Sequence, residues 1–417
     1  MRFGPLILAL TLAVGAACKT TPSTPPAAPS DDLSARATAL AQRVIIADGH
    51  VDLPYRLWES RDVQGNVTED VSVRTEGGDF DYVRARAGGL DAPFMSIYVP
   101  ADRQKSPGAA KAEADALINL VEGLVEAHPD KFQIATHPDQ IRAIKEAGKI
   151  ALPMGIENGA ALEDDVANVR HFHDRGVRYI TLTHSKDNLL GDSSYDEHHT
   201  HKGLSELGRQ VVQAMNEVGI MVDVSHVTDD VIKQVLELSA VPVIASHSSA
   251  RAFTPGFERN LPDDLIRGIA AKGGVVLVNF GSTFISQRSR DAFDARKDAL
   301  KAHLGREEFD WHAPEVHDFL QKYDSEHPSA LATVSDVADH IQHIADLVGV
   351  AHVGFGSDFD GVGPTMPEGL RDVSQLPNLI AELMRRGYSE ADIEKMASGN
   401  LFRVWRTVEA HALESKP

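Results

Sequence analysis

The residues able to do chemistry announce themselves in "IIADGHVDLP" (45–54), where a buried-looking apolar run gives way to His50 and Asp52. Side chains two apart in an extended segment share one side, so this imidazole and this carboxylate can converge on a single object. Similar exits recur down the chain: Glu157 in "GIENG", His184 in "TLTHS", His226 in "VDVSHV", His247 in "IASHSS" and Asp358 in "GFGSDFDG". His50, Asp52, Glu157, His226 and His247 form a donor set of three imidazoles and two carboxylates without a thiolate. That set suits zinc first, with manganese or cobalt as substitutes. Five ligands are too many for one catalytic zinc, which keeps a position open. They suit two ions if one carboxylate is shared, and Glu157 is the natural bridge. One ion then takes His50, Asp52 and Glu157; the other takes Glu157, His226 and His247. A pair of this kind shares a hydroxide and polarises a carbonyl at neutral pH.

Such residues need a scaffold that delivers them to one place. Eight short apolar runs are candidates for strands: 44–49, 94–99, 152–157, 179–183, 220–225, 242–246, 274–279 and 352–357. Most lack the two-residue alternation of a half-exposed sheet, as expected of strands covered on both faces. Helical periodicity fills the intervals, as in 204–219 and 228–240, the latter opening on Thr228 as a cap ahead of Asp229 and Asp230. The pattern predicts an α/β chain folded as a (β/α)8 TIM barrel with helical insertions, whose active face lies at the C-terminal ends of the strands. Six of the eight predicted strands end there in an ionisable or metal-binding side chain, and it is this coincidence of level that carries the reading.

The whole chain narrows the alternatives. Its 417 residues carry a formal charge of −20, which disfavours a nucleic-acid partner. Residues 1–17 read as a signal peptide, with Arg2 ahead of a short apolar segment from Leu6 to Ala17. Cys18 is the only cysteine, so no intrachain disulfide is expected, and its setting resembles a bacterial lipobox. Residues 18–32, rich in Pro, Thr, Ser and Ala, read as a disordered tether, and residues 33–417 as the barrel. The expected location is the periplasmic side of the bacterial envelope, anchored by lipid at Cys18, with plain secretion as the alternative.

Other features invite less. The tract "EHHTHK" (197–202) reads as a solvated loop, His171 and His173 as surface residues of a helix, and "DFDG" lacks the remaining ligands of a calcium loop. The long segment 282–345 reads as a helical insertion flanking the pocket or as a contact in a possible homodimer.

Taken together, "DGHVDLP", "GIENG", "LTHS", "VDVSHV", "ASHSSAR", "RNLPDD" and "GFGSDFDGV" resemble the membrane (renal-type) dipeptidase family, binuclear zinc enzymes of the amidohydrolase superfamily. The resemblance runs from about Val44 to "GNLFRVWRTVE" (399–409). It implies a dipeptide substrate and two zinc ions bridged by Glu157 and a hydroxide. It also implies that Asp358 shuttles a proton between water and the leaving amine, that His184 contacts the substrate and stabilises the oxyanion, and that Arg259 clamps the substrate's terminal carboxylate. Two other readings compete: a sister hydrolase of another amide, lactone or ester, and a lipid-anchored solute-binding protein. The second would have no use for a proton shuttle beside a metal pair.

Overall fold

The computed structural model describes residues 30–306, 309, 313–327 and 330–414, together with Met1. The expected signal peptide, Cys18 and almost all of the expected tether lie outside the described residues. A leading helix, Ser30–Arg43, runs into the first strand.

Ten strands follow, β1 (Ile46–Val51), β2 (Leu90–Tyr98), β3 (Phe132–Ile134), β4 (Ile150–Leu152), β5 (Met154–Glu157), β6 (Val177–Thr181), β7 (Met221–Asp223), β8 (Ile244–Ala245), β9 (Val275–Val278) and β10 (Val353–Phe355). Eight of them form one parallel sheet in the order β1-β2-β5-β6-β7-β8-β9-β10. The two edges meet just past the strand ends. There Asp358 N–H donates to His50 O at 3.1 Å and Asp52 N–H donates to Phe359 O at 2.9 Å, closing the sheet into a barrel. All eight predicted runs overlap barrel strands, with ends displaced by a few residues. The small pair β3–β4 was not anticipated. Pro153 interrupts the run read as 152–157, so Leu152 closes β4 and Met154 opens β5.

The strands are buried along nearly their whole length, which explains the missing alternation. Helices cover the outside. Glu206–Val218 and Asp229–Leu238 are amphipathic, and Thr228 caps the second by accepting from Val231 N–H. The helix Asn400–Glu414 lies across the bottom of the barrel, its Trp405 packed against Phe94 of β2 with ring centroids 5.2 Å apart.

Between β9 and β10 the chain forms helices Ser282–Ile285, Gln287–Leu304, Pro314–Glu326 and Val334–Val348. The last is the crossover packed on the barrel. The preceding pair encloses a small apolar cluster of its own, Leu300, Val316 and Leu320. The region is helical, as expected. Among the described residues no helix is long and apolar enough to cross a membrane.

Candidate metal centre

The strand ends bring the predicted residues to one level. His50 and Asp52 leave β1, Glu157 ends β5, His184 follows β6, His226 follows β7, His247 follows β8 and Asp358 follows β10. The loops bend sharply to aim them: His226 and Asp358 have φ of +67° and +65°, a left-handed backbone that non-glycine residues seldom adopt.

Glu157 is central. Its Oε1 lies 3.0 Å from His226 Nε2, 3.2 Å from His247 Nε2 and 3.8 Å from His184 Nε2. Its Oε2 lies 3.4 Å from His50 Nε2, and His50 Nε2 is also 3.4 Å from Asp52 Oδ2. Three overlapping groups therefore offer atoms close enough to share a cation: His50, Glu157 and His247; Glu157, His184 and His226; and His50, Asp52 and Asp358. The third group draws in Asp358 and the second His184, both expected to act on substrate.

Charge and protonation at Glu157, His226 and His247 fit a cation here. Burial alone would raise the Glu157 carboxyl, but the facing imidazoles of His50, His184, His226 and His247 outweigh it and hold it well below the usual range. Burial pushes His226 and His247 down, His247 to about 4, so both favour the neutral form in which nitrogen is a ligand. His226 Nε2 and His247 Nε2 are only 2.8 Å apart, and buried His50 Nε2 has no hydrogen-bond partner. Nitrogen lone pairs and carboxylate oxygens crowded in this way are reconciled by metal ions.

Around this set stand residues that carry no metal-ligand signal. Tyr179 Oη is 2.8 Å from His50 Nδ1, and Ser246 Oγ is 2.7 Å from His247 Nδ1. Asn279 Nδ2 donates to Asp358 Oδ2 at 2.7 Å. Burial raises the Asp358 carboxyl, His247 lowers it and Asp52 raises it further, with a net upward shift. Sequence reasoning missed Asn279, although it stands last in the predicted run 274–279, at the level where the other strands deliver their functional groups.

Arg259 is 2% exposed. Its Nη1 donates to Ser248 Oγ at 2.7 Å and its Nη2 to His247 O at 2.9 Å, while Nε is buried without a partner. Among the described residues no carboxylate pairs with it, and its charge helps to depress His184, His226 and His247. It thus lies beside the imidazoles as a buried cation. The less inviting features are peripheral. His198 is exposed and bonds Asp196, His201 bonds the Asn188 carbonyl, and His171 pairs with Asp115 on the outer helices.

The sequence matches the family described as membrane dipeptidase (peptidase family M19) over residues 34–416. It is 34% identical over 396 residues to dipeptidase verJ of Clonostachys rogersoniana, covering 93% of this chain and 90% of that protein. Among solved structures it is similar to the probable dipeptidase PvdM from Pseudomonas aeruginosa, with a TM-score of 0.78 and 29% identity over 92% of this chain and 100% of that one. It is also similar to a metallopeptidase from Rhodobacter sphaeroides liganded with a phosphinate mimic of the dipeptide L-Ala-D-Ala. There the TM-score is 0.68 and the identity 26%, over 88% of this chain and 99% of that one.

Proposed function

Because the chain belongs to the membrane dipeptidase family and is a metal-dependent dipeptide hydrolase, we propose that it cleaves free dipeptides at a pair of zinc ions. His50, Asp52 and Glu157 would hold one ion; Glu157, His226 and His247 would hold the other. Two such ions, when bound, supply Lewis acidity toward the scissile carbonyl and lower the pKa of water. The observation that carries the substrate class is Arg259, a buried guanidinium with no carboxylate partner among the described residues, held beside the imidazoles by Ser248 and the His247 carbonyl. A free C-terminal carboxylate is the anion its fork fits.

Placement supports the remaining roles. Asn279 occupies Asp358 Oδ2, leaving Oδ1 on the side of Asp52 to accept and return a proton. The upward shift of this buried carboxyl suits a group that takes up and returns a proton. His184 packs edge-on to Tyr98 with ring centroids 4.7 Å apart, and its Nε2 lies outside the tightest ligand distances. It is placed to donate a hydrogen bond to the carbonyl oxygen as charge develops. The envelope location rests on Cys18 and its flanking sequence, with lipid at Cys18 holding the enzyme on the periplasmic side.

The test is a substrate panel run with metal quantification. It contains dipeptides with L or D C-terminal residues, the D members chosen because the Rhodobacter neighbour's ligand mimics L-Ala-D-Ala, together with their C-terminal amides and tripeptides. Two zinc ions per chain and turnover confined to free-acid dipeptides are expected. A tripeptide cleaved at the dipeptide rate would remove Arg259 as the clamp, and a C-terminal amide hydrolysed in preference to the free acid would favour the sister-hydrolase reading.

A further inference from the structure

Beneath the imidazoles lies a buried polar chain that the proposed chemistry does not use. Asp223, the last residue of β7, is fully buried. Its Oδ1 accepts from Ser225 N–H at 3.0 Å and Ser246 N–H at 2.8 Å. Its Oδ2 accepts from Ser246 Oγ at 2.6 Å and Thr181 Oγ1 at 2.5 Å. Four donors converge on this carboxyl, so it serves as acceptor only.

That arrangement assigns the protons through the hydrogen-bond network. A serine hydroxyl has one hydrogen, and the Asp223 carboxylate, charged and only 2.6 Å away, takes the one on Ser246. The 2.7 Å contact between Ser246 Oγ and His247 Nδ1 must then run from the ring, as Nδ1–H to oxygen. His247 is thereby fixed in the tautomer whose Nε2 carries a lone pair, and Nε2 is the atom that faces Glu157. Its neighbour has no such support, because His226 Nδ1 is buried without a partner.

We propose that Asp223 and Ser246 are positioning residues that lock the tautomer and ring orientation of His247 for metal binding, with Thr181 steadying the carboxylate. This rests on the reading of His247 as a ligand, which the experiment examines separately. Zinc dissociation constants are measured by chelator competition on the holoenzyme for wild type, Ser246→Ala, Ser246→Thr and His247→Ala, alongside unfolding temperature. Hydrogen-bond partners of metal-binding histidines typically contribute about 10–100-fold to metal affinity. Ser246→Ala is expected to weaken one of the two ions by about that factor and leave the other unchanged, and Ser246→Thr, which keeps the hydroxyl, to restore it. If His247→Ala loses an ion while Ser246→Ala holds both at wild-type affinity, the relay is overturned and the ligand assignment stands. If His247→Ala keeps both ions, the ligand assignment fails and takes the relay with it. A second measurement needs no variant to fold: in histidine-labelled wild-type holoenzyme, the His247 Nδ1–H proton should lie downfield, as a hydrogen-bonded proton does, of that on His226, whose Nδ1 has no partner. A His247 signal no further downfield than that of His226 would overturn the proposal.

Discussion

The wall of the site built by β1 and β10 and the wall built by β7 and β8 rest on the same device and differ in chemistry, the carboxylates Asp52 and Asp358 standing only on the first, beside His50. In the first, Asp48 Oδ1 accepts from His50 N–H at 3.0 Å and from Ser357 N–H at 2.8 Å, stitching β1 to the loop after β10. In the second, Asp223 Oδ1 accepts from Ser225 N–H and Ser246 N–H at the same two distances, stitching β7 to the end of β8. Each buried aspartate pins its own strand end and its neighbour's. Above the first stand the carboxylates Asp52 and Asp358; above the second stand the imidazoles His226 and His247. The foundations also differ. Burial pushes the Asp48 carboxyl up to about 6 against the hydrogen bonds from Ser357 and His50, whereas Asp223 commits its second oxygen to two hydroxyls. The barrel thus repeats one means of fixing strand ends and varies what is mounted on them, which is how one fold supports many chemistries.

Glu157 is the one residue both walls share, and removing it breaks the comparison outright. Glu157→Ala takes a carboxylate from within 3.4 Å of His50 and 3.2 Å of both His226 and His247. Loss of both ions together and of all measurable turnover is expected, checked by elemental analysis of the purified variant. Loss of one ion alone would mean that the two walls hold their metals independently.

Changing Asp358 separates proton transfer from metal binding. Asp358→Asn keeps the shape and the neighbouring Asn279 but cannot take a proton, so turnover should fall by about 10²–10⁴-fold with metal content unchanged. If metal is released and activity per bound metal persists, Asp358 belongs with His50 and Asp52 as a ligand, a role its position also permits.

Gly361 sharpens the account of the carboxylate wall. A Cβ there would overlap both Asp52 Oδ2 and Asp358 Oδ1, so Gly361→Ala must displace one or both carboxylates. Misplacement on the order of 1 Å costs about 10²-fold in rate. A fall of that size in kcat is expected, with little change in unfolding temperature, since the contact is with side chains at the mouth of the barrel. An unchanged kcat would show that the two carboxylates need not lie so close together.

What could be read from the sequence was what a single strand dictates by itself. The run Ile45–Ala47 and its seven counterparts showed the strands through unbroken hydrophobicity, and His50, Glu157, His226 and His247 showed themselves by following such runs. Asp48, Tyr179, Asp223 and Ser246 did not, because their function lies in partners 42 and 23 residues away, as for Thr181 with Asp223 and Ser246 with Asp223, or farther. A Ser beside a His in "ASHSS" has no meaning until β7 and β8 are set side by side. The roles of Asp358 and Arg259 came from resemblance rather than spacing. The geometry adds to them a buried carboxyl held by Asn279 and a guanidinium with no carboxylate partner among the described residues. The pair β3–β4 escaped because Pro153 divides one apolar run between two sheets.

The smallest expected effect on catalysis, and the clearest on stability, lies behind the imidazole wall. His340, on the helix Val334–Val348, is fully buried. Its Nδ1 accepts from Ala250 N–H at 3.0 Å and its Nε2 donates to Ile285 O at 3.0 Å, tying the loop after β8 to the start of the insertion. The first bond requires the neutral ring, because a proton on Nδ1 would face the Ala250 donor; the second survives protonation. Burial holds His340 down to about 4, from an ordinary value of 6.5, with the charge of His343 acting in the same direction and the Ile285 hydrogen bond and Asp336 against it. The sign follows from proton uptake. Below 6.5 the unfolded chain takes a proton on this residue that the folded one refuses, so its contribution is complete above 6.5 and is lost as the pH falls to 4. Over that interval the loss is roughly 3 kcal/mol. His340→Gln should be less stable than wild type at pH 7, and the gap between the two should narrow by about that amount between pH 6.5 and 4. Denaturant unfolding at a series of pH values measures it. Turnover at pH 7 should be nearly unchanged, since His340 touches the loop after β8 at Ala250, past His247 and the relay beneath it. A gap that stays constant across the interval would show that His340 takes up its proton in the folded state, and the bond from Ala250 would then be too weak to set the ring's form.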